Sequence, residues 1–248
     1  MMKLDINALS YIGLLREHNE DMVSLGGILL RNEEMAFPVE LADDSQFYLL
    51  VSDGMGGHEQ GDRASHQLLE FLDACFKDNA FAITTFEEDL RDHVRQFSDD
   101  LNRCAIEEHQ RRPMGCTLTG VVWTNGKAFL VNAGDSRTYR YRNGILRQLT
   151  VDETVRGITG VPTDSKALLN CIGAGADARL TVEDITERLH DGDMLLVCSD
   201  GLTDMVDDMT IEEILAQSHE PTTELYSKAC QNGGYDNVSV VVAKIVMS

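Results

Sequence analysis

Four aspartates stand at the ends of apolar runs, where side chains from different strands can meet. Asp53 follows FYLLVS, Asp135 follows FLVNAG, Asp200 follows LLVCS and Asp236 precedes NVSVVV. A turn accounts for each one alone, because Asp and the neighbouring Gly or Asn are preferred turn residues. Four carboxylates brought together would repel one another unless a cation neutralised them, and Mg²⁺ and Mn²⁺ take oxygen ligands of this kind. The spacing therefore raises the hypothesis of an acidic divalent-metal site, and it names no reaction.

The apolar runs that carry these aspartates are typical of β-strands, because they are rich in Val, Leu, Phe and Tyr and are bounded by Gly, Asn or Asp. The sequence predicts strands over residues 47–52, 118–123, 128–132, 138–141, 194–199 and 238–246. Asn125-Gly126 and Asn143-Gly144 each lie between apolar runs, which is the strongest short-range signal for a hairpin. Strands joined in this way pair antiparallel.

Three other segments show apolar residues at the three- and four-residue spacing of a helix. They cover residues 63–76, about 85–109 and 210–217, and Thr210 is the expected N-cap of the third. Strands and helices do not alternate as they do in a doubly wound parallel sheet. We therefore predict an α+β fold in one domain over residues 1–248, with two mainly antiparallel sheets flanked by helices.

The charge balance argues against several classes of partner. Asp and Glu number 42 against 21 Lys and Arg, so the formal net charge is −21 in 248 residues. Binding to nucleic acid or to anionic lipid needs clustered basic residues, so neither partner is expected. No apolar run approaches the roughly 20 residues of a membrane span, and the N-terminus lacks the apolar core of a signal peptide. With six cysteines and no C-x-x-C spacing, we expect a cytoplasmic protein with reduced thiols.

Seven motifs follow one another along the chain: GLLREHNED, LLVSDGMGGHEQGDRAS, GCTLTG, NAGDSRTYRYRNG, QLTVDET, GDMLLVCSDGLTDMV and GGYDNVSVVV. Each is weak alone, but in this order they are a specific signal that covers nearly the whole chain. They resemble the metal-dependent protein phosphatase family (PPM), the protein phosphatase 2C type, in its bacterial branch. The resemblance implies a four-layer αββα sandwich. It also implies hydrolysis of phosphoserine and phosphothreonine in proteins by attack of a metal-activated water.

The resemblance further implies ligands for two core Mn²⁺ or Mg²⁺ ions. Asp53 would bridge both ions, and the carbonyl of Gly54 would complete one coordination sphere. Asp200 and Asp236 would bind the first ion, and Glu20 would act at the second. Two divalent ions suit this reaction because they lower the pKa of a shared water and stabilise charge on the phosphoryl oxygens.

Four more residues take roles by the same resemblance. Asp135 and Asp204 match the positions that hold a third, weaker metal ion. Arg16 matches the arginine that grips the substrate phosphate, a role that suits a guanidinium because it can donate two parallel hydrogen bonds. Without the motif, an ion pair between Arg16 and one of the 42 acids would be the simpler interpretation. Asp21 would contact a water that the metal holds.

Two departures from the family pattern limit what is carried over. Met55 occupies the position where many eukaryotic relatives have a histidine proposed as the general acid, and a thioether cannot deliver a proton. Segment 155–166 is shorter than the helix-containing flap that bacterial relatives usually insert, which leaves substrate access and the third metal open. Arg137, close to Asp135, is expected to pair with nearby carboxylates instead of acting in catalysis.

The favoured function is a protein serine/threonine phosphatase that acts as a monomer on phosphorylated proteins and opposes a bacterial-type serine/threonine kinase. One alternative is a regulatory pseudophosphatase that binds phosphoproteins without turnover. Every family metal position is filled by a suitable residue, which argues against it. The other alternative, a two-metal nuclease, conflicts with the net charge of −21 and the lack of a basic stripe.

Overall fold

The computed structural model describes residues 2–56, 59–78, 81–82, 84–107, 113–161, 163 and 167–247. The end of the predicted helix 85–109, part of segment 155–166 and two residues of the DGMGGH motif therefore lie outside the described residues. The strands in chain order are β1 (Met2–Tyr11), β2 (Met22–Leu25), β3 (Ile28–Leu30), β4 (Glu33–Leu41), β5 (Phe47–Ser52), β6 (Gly54–Met55), β7 (Gly115–Cys116), β8 (Leu118–Thr124), β9 (Lys127–Ala133), β10 (Arg137–Arg142), β11 (Ile145–Gln148), β12 (Ile172–Gly173), β13 (Thr181–Asp184), β14 (Met194–Cys198) and β15 (Val238–Met247). The helices are α1 (Glu59–Lys77), α2 (Phe86–Glu107), α3 (Val155–Thr159), α4 (Asp200–Thr203), α5 (Asp208–Gln217) and α6 (Pro221–Gln231), with a 3-10 turn at Thr186–Arg188.

Two six-stranded sheets form the centre of the described chain, and neighbouring strands in both are antiparallel. The first sheet has the order β11-β10-β14-β15-β1-β4, and the second has the order β13-β9-β8-β5-β2-β3. Strands β1 and β15 pair over their whole length, beginning with Met2 opposite Met247. A small third sheet, β12-β7-β6, places Gly54 opposite Cys116. The mainly antiparallel sheet pair that the sequence predicts is confirmed.

Strand β5 shows how alternation along the sequence divides two cores. All six of its residues are buried, but successive side chains of a strand point to opposite faces of the sheet. Leu49 and Val51 pack between the two large sheets, whereas Tyr48 and Leu50 pack on the side of helices α1 and α2. Tyr48 stacks on Phe76 of α1, with ring centroids 4.3 Å apart. Because Leu49 is fully enclosed, Leu49→Ala would cost about 2–5 kcal/mol of stability.

Strand β14 divides in the same way in the first sheet. Leu195 and Val197 join the core between the sheets. Leu196 and Cys198 face a third apolar cluster that includes residues of helices α5 and α6. The layers are therefore helices α1 and α2, two sheets, and helices α5 and α6, which confirms the predicted αββα sandwich.

The two Asn-Gly pairs form the predicted hairpin turns. Asn125 and Gly126 join β8 to β9 with φ values of 52° and 72°, and Asn143 and Gly144 join β10 to β11 with φ values of 52° and 81°. A two-residue hairpin of this kind needs positive φ at both positions, and Asn and Gly adopt it at least cost.

Helix α5 begins two residues before the predicted start, so the assignment of Thr210 as its N-cap is wrong. Asp207 is the cap, because its side chain accepts a hydrogen bond from the Thr210 N–H at 2.8 Å. Aspartate is at least as good an N-cap as threonine, and its carboxylate also suits the positive end of the helix dipole. None of the described helices has the length and apolarity that crossing a membrane would require.

Candidate active site: a cavity lined by carboxylates

The strand ends of the two large sheets meet at one end of the sandwich and surround a cavity of about 700 Å³. Asp53 comes directly after β5, Asp200 directly after Ser199 and β14, and Asp236 just before β15. Antiparallel pairing brings these positions together, although they are far apart in sequence. The cavity is lined by all but two of the site residues predicted from the sequence: Arg16, Glu20, Asp53, Gly54, Asp135, Asp200 and Asp236.

The two remaining predicted residues lie next to the cavity. Asp21 is buried behind it, where Ser199 Oγ donates a hydrogen bond to Asp21 Oδ2 at 2.7 Å. Asp204, at the end of α4, lines an adjoining cleft of about 740 Å³. That cleft shares Asp135 and Asp200 with the main cavity, so Asp204 is in reach of the same acidic region.

Asp53 and Gly54 are held in place by close backbone contacts. The Asp53 N–H donates to Thr117 Oγ1 at 3.0 Å, and the Thr117 N–H donates to the Asp53 carbonyl at 2.8 Å. A Cβ on Gly54 would lie 2.1 Å from the carbonyl oxygen of Gly61 and 2.6 Å from that of Glu20. No side chain fits there, so glycine allows α1 and the segment of Glu20 to approach the end of β5. The role of Thr117 was not predicted from the sequence.

Asn237 joins two segments that contribute carboxylates. Its backbone N–H donates to Asp236 Oδ1 at 2.8 Å, and its side-chain amide donates to the carbonyl of His18 at 2.9 Å. The Glu20 N–H in turn donates to Asn237 Oδ1 at 2.9 Å. One buried residue therefore fixes both Asp236, through its backbone N–H, and the backbone that carries Glu20, through its side-chain amide.

Arg31 supports the same segment from the other side and was not predicted from the sequence. Its Nε donates to the carbonyl of Asp21 at 2.7 Å, and its Nη2 donates to Ser65 Oγ at 3.0 Å. Ser65 Oγ donates to the carbonyl of Glu20 at 2.5 Å, and Arg31 also forms an ion pair with Asp62 at the start of α1. Nothing in the motifs singles out Arg31, because its partners come from sequence positions that only the fold brings together.

Burial, and then repulsion by neighbouring acids, raises the pKa of Asp21, Asp53 and Asp135. Burial is the main cause for Asp53, whose pKa is well above its ordinary value, and the charges of Asp21 and Asp200 add to it. Burial raises the pKa of Asp21 to about 7, against hydrogen bonds from Ser199 and Ser239 that act in the opposite direction. The pKa of Asp135 is also raised to about 7, by burial and then by Asp200.

The donor set fits a hard divalent cation. Burial first, and then the neighbouring acids, disfavour the charged forms of Asp21, Asp53 and Asp135, and a cation among them would offset that cost. Among the described residues, no three His, Cys, Asp or Glu side chains converge tightly enough to form a complete ligand cluster by themselves. This agrees with a wide cavity, because Mg²⁺ keeps several waters and needs only one or two carboxylates directly.

Arg16 lies at the mouth of the cavity and forms an ion pair with Asp236, with Nη2 and Oδ2 2.5 Å apart. This is the kind of pairing that the sequence offered as the simpler interpretation. A guanidinium carries five N–H donors, so the pair with Asp236 leaves capacity for an anion. Phosphate binding by Arg16 stays a prediction.

Part of the cavity lining is apolar and includes Met55. It is formed by Met55, Leu168, Leu169, Ala174 and Ala176. Within the described residues, no histidine lines this cavity. The thioether of Met55 therefore stands at the site without a proton to give, as its sequence position predicts.

Arg137 is a structural partner of carboxylates, as predicted. Its Nε and Nη2 donate to the two oxygens of Asp152 at 2.8 and 2.6 Å, and its Nη1 donates to the Tyr139 hydroxyl at 2.7 Å. This bidentate pair fixes the turn after β11 against the first sheet, and it uses the guanidinium for structure.

Comparisons with known proteins identify the family and agree with the fold. The model of the family described as protein phosphatase 2C matches residues 37–232. The serine/threonine phosphatase stp of Listeria monocytogenes is 31% identical, and the alignment covers 94% of this chain and 92% of the relative. The catalytic domain of the serine threonine protein phosphatase PstP, crystallised in complex with 2 manganese ions, has a TM-score of 0.77 and 30% identity, with full coverage of both chains. The S. agalactiae serine/threonine phosphatase has a TM-score of 0.81, covering 98% of this chain and 100% of that one. At 23% identity it supports the fold alone.

Proposed function

This chain belongs to the protein phosphatase 2C family, and we propose that it is a Mn²⁺- or Mg²⁺-dependent protein serine/threonine phosphatase. The observation that carries the proposal is that one basic side chain and several acidic side chains line the same cavity. Arg16 lies at the mouth, and five carboxylates line the interior. A phosphate dianion would be repelled from such a cavity unless cations accompanied it, so the site is suited to bind phosphate and metal together.

We assign the metal-binding residues as the family resemblance implies. Asp53, Asp200 and Asp236 would hold one ion, Asp53 with Glu20 would hold the second, and the carbonyl of Gly54 would complete one of the two coordination spheres. Bound divalent ions supply a nucleophile at neutral pH and stabilise charge on the transferring phosphoryl group. The hydrogen bonds that Asn237 and Thr117 make to these segments keep the carboxylates in position before any ion binds.

Arg16 and Asp21 would act on substrate and water. Arg16 would bind two phosphoryl oxygens through parallel N–H donors, which positions the phosphorus over the carboxylate floor. Asp21 is too deeply buried to touch a protein substrate, but its carboxylate would orient a water beside Glu20. With Met55 at the site, the proton for the leaving serine or threonine oxygen would come from water.

Asp135 and Asp204 would form a third, weaker metal position. The support is that both residues belong to the cleft that adjoins the main cavity. Segment 155–166 would be a shortened flap beside that cleft, because Arg156, Gly157 and Thr163 line it. The whole chain would then act as a single catalytic domain.

The natural substrates would be phosphorylated proteins, and the chain would oppose a serine/threonine kinase of bacterial type. We expect it to act as a monomer in the cytoplasm, with neither nucleic acid nor membrane as a partner. The formal net charge of −21 supports the exclusion of nucleic acid and membrane, because a strongly negative protein is repelled by polyanions.

Hydrolysis of phosphoserine and phosphothreonine peptides tests the proposal. Activity should require added Mn²⁺ or Mg²⁺, stop with EDTA and be lost in Asp200→Asn, while Asp193→Asn at the other end of β14 serves as the matched control. Metal-independent hydrolysis by the pure protein would contradict the mechanism. Metal-dependent binding of the peptides without phosphate release would favour the regulatory pseudophosphatase.

A further inference from the structure

Three large apolar side chains stand exposed beside the mouth of the cavity. Leu14, Leu15 and Tyr235, which we call the apolar rim, are 63%, 65% and 58% exposed. Leu15 directly precedes Arg16, and Tyr235 directly precedes Asp236, so the apolar rim borders the ion pair at the cavity mouth. A cluster of exposed apolar residues next to a binding cavity marks an interaction surface more often than isolated exposed residues do.

The apolar rim is built onto the sandwich through specific contacts. The Leu14 N–H donates to the carbonyl of Gly234 at 2.7 Å, and the Tyr226 hydroxyl of α6 donates to the carbonyl of Ile12 at 3.0 Å. A Cβ on Gly13 would lie 2.0 Å from the carbonyl oxygen of Asp236, so the two loops touch without space for a side chain. The apolar rim therefore has a defined position relative to Arg16.

The size and place of the apolar rim select its occupant. A stable dimer buries about 800 Å² on each partner, from roughly 20 or more residues, and three side chains cannot supply that area. They can cover one large apolar side chain. In a peptide whose phosphate lies at Arg16, residues close to the phosphorylated one are within reach of Leu15 and Tyr235, because these two are the chain neighbours of the paired Arg16 and Asp236 and an extended chain advances only about 3.3 Å per residue.

We propose that the apolar rim binds a large apolar side chain of the phosphoprotein substrate, within three residues of the phosphorylated one. This inference rests on the proposed phosphatase function and adds a sequence preference to it. The free energy would come from covering exposed apolar surface on both partners. Leu15 and Tyr235 are then specificity residues for protein substrates.

Paired phosphothreonine peptides test the inference. Each pair carries Leu or Ala at one position, from three before to three after the phosphothreonine. At one position the wild type should favour Leu about tenfold in kcat/KM, the range expected for a few methylene groups in an apolar site. Leu15→Ala combined with Tyr235→Ala should abolish that preference, and Leu15→Met alone should keep it.

Two controls separate binding at the apolar rim from other effects. The first control is the ratio of kcat/KM for the Leu peptide to kcat/KM for p-nitrophenyl phosphate. Because the small substrate has no flanking residue, an effect of the substitutions on the catalytic step cancels in this ratio. Ile106→Ala, at an exposed apolar position on α2, should leave both the ratio and the preference as in the wild type.

Fluorescence anisotropy with labelled versions of the same peptides measures the preference without turnover. A preference for Leu in binding that depends on Leu15 and Tyr235, in a protein that releases no phosphate, would contradict the phosphatase function and support the apolar rim. Equal use and equal binding of Leu and Ala peptides by the wild type would overturn the inference. So would a preference for Leu that survives the double substitution.

Discussion

The two ends of strand β14 hold acidic residues in opposite ways. At its beginning, the fully buried Asp193 accepts hydrogen bonds from Arg142 Nε and Nη2 at 2.5 and 2.6 Å. The His190 N–H donates a third at 2.9 Å. At its other end, Asp200 joins the carboxylates of the cavity, where the pKa of Asp53 is raised by burial and by its acidic neighbours. One end carries its own counter-charge, and the other accumulates negative charge.

This difference separates a structural acid from a functional one. Within the part of the chain that the structure describes, no ion pair joins Asp21, Asp53 or Asp135 to a basic side chain. A buried carboxylate in a purely structural role needs a partner such as Arg142, because an uncompensated buried charge is strongly destabilising. The buried carboxylates at the cavity end therefore destabilise the metal-free protein. A cation that binds among them explains why the fold keeps them there.

Asp53→Asn gives the largest expected effect on activity. We expect kcat to fall at least about a thousandfold, because the proposed bridge between two ions is lost. In EDTA, the melting temperature of the variant should equal or exceed that of the wild type, since a destabilising charge has been removed. Phosphopeptide hydrolysis and calorimetry measure the two effects. A marked loss of metal-free stability would show that Asp53 belongs with the structural acids and would break the comparison.

Asp193→Ala should behave in the opposite way. Removing the carboxylate leaves the half-buried Arg142 without its counter-ion, and we expect a loss of about 3 kcal/mol in the free energy of unfolding. Where the protein is still folded, kcat/KM should stay within about twofold, a change below 0.5 kcal/mol. Urea unfolding measures the first quantity. An unchanged unfolding midpoint would mean that the two ends of β14 do not differ in this respect.

Arg31→Met should weaken metal binding by about 10–100-fold, the usual range for a residue that positions metal ligands. The substitution removes the hydrogen bonds to the backbone of Asp21 and to Ser65, which hold the Glu20 segment against α1. Titration calorimetry with Mn²⁺ measures the affinity without relying on activity. Arg91→Met is the matched control, because Arg91 also donates to a backbone carbonyl, that of Val182, away from the cavity. Equal losses in both variants would indicate a general effect on stability.

The pH dependence of stability gives the smallest and most specific effect. The folded pKa of Asp21 and Asp135 is about 7, against an ordinary value of 3.8, so the folded metal-free protein holds more protons than the unfolded chain between these values. Its stability should therefore fall as pH rises from about 4 to 7 and level off above that range. We expect the melting temperature in EDTA to drop by several degrees, roughly 2–4 °C per kcal/mol.

Mn²⁺ should cancel that pH dependence, because the ion competes with protons for the carboxylates. Asp135→Asn in EDTA should also reduce it. If the melting temperature of the metal-free protein instead rose steadily from pH 4 to pH 7, the cavity carboxylates would not repel one another as their surroundings imply.

Strong local patterns predicted much of the fold. Strand β5 lies where the sequence places it, and the Asn-Gly turns form as expected, because both depend on neighbouring residues alone. Strands β1 to β4 and helix α6 were not predicted. Strand β4 lies at a sheet edge, with exposed and half-buried residues alternating along most of it and Pro38 near its middle, so it lacks the apolar run that marks a central strand.

The sequence by itself determined the chemistry that is available: which acids stand at strand ends, which glycines leave room for backbone contacts, and which motifs occur in order. Only the tertiary structure decided which of those acids meet, that Arg31 and Asn237 clamp the Glu20 segment, and that Leu14, Leu15 and Tyr235 border the cavity. The reason is physical. Strand and turn patterns depend on residues a few positions apart, whereas each of these contacts joins segments that only sheet pairing and packing bring within hydrogen-bonding distance.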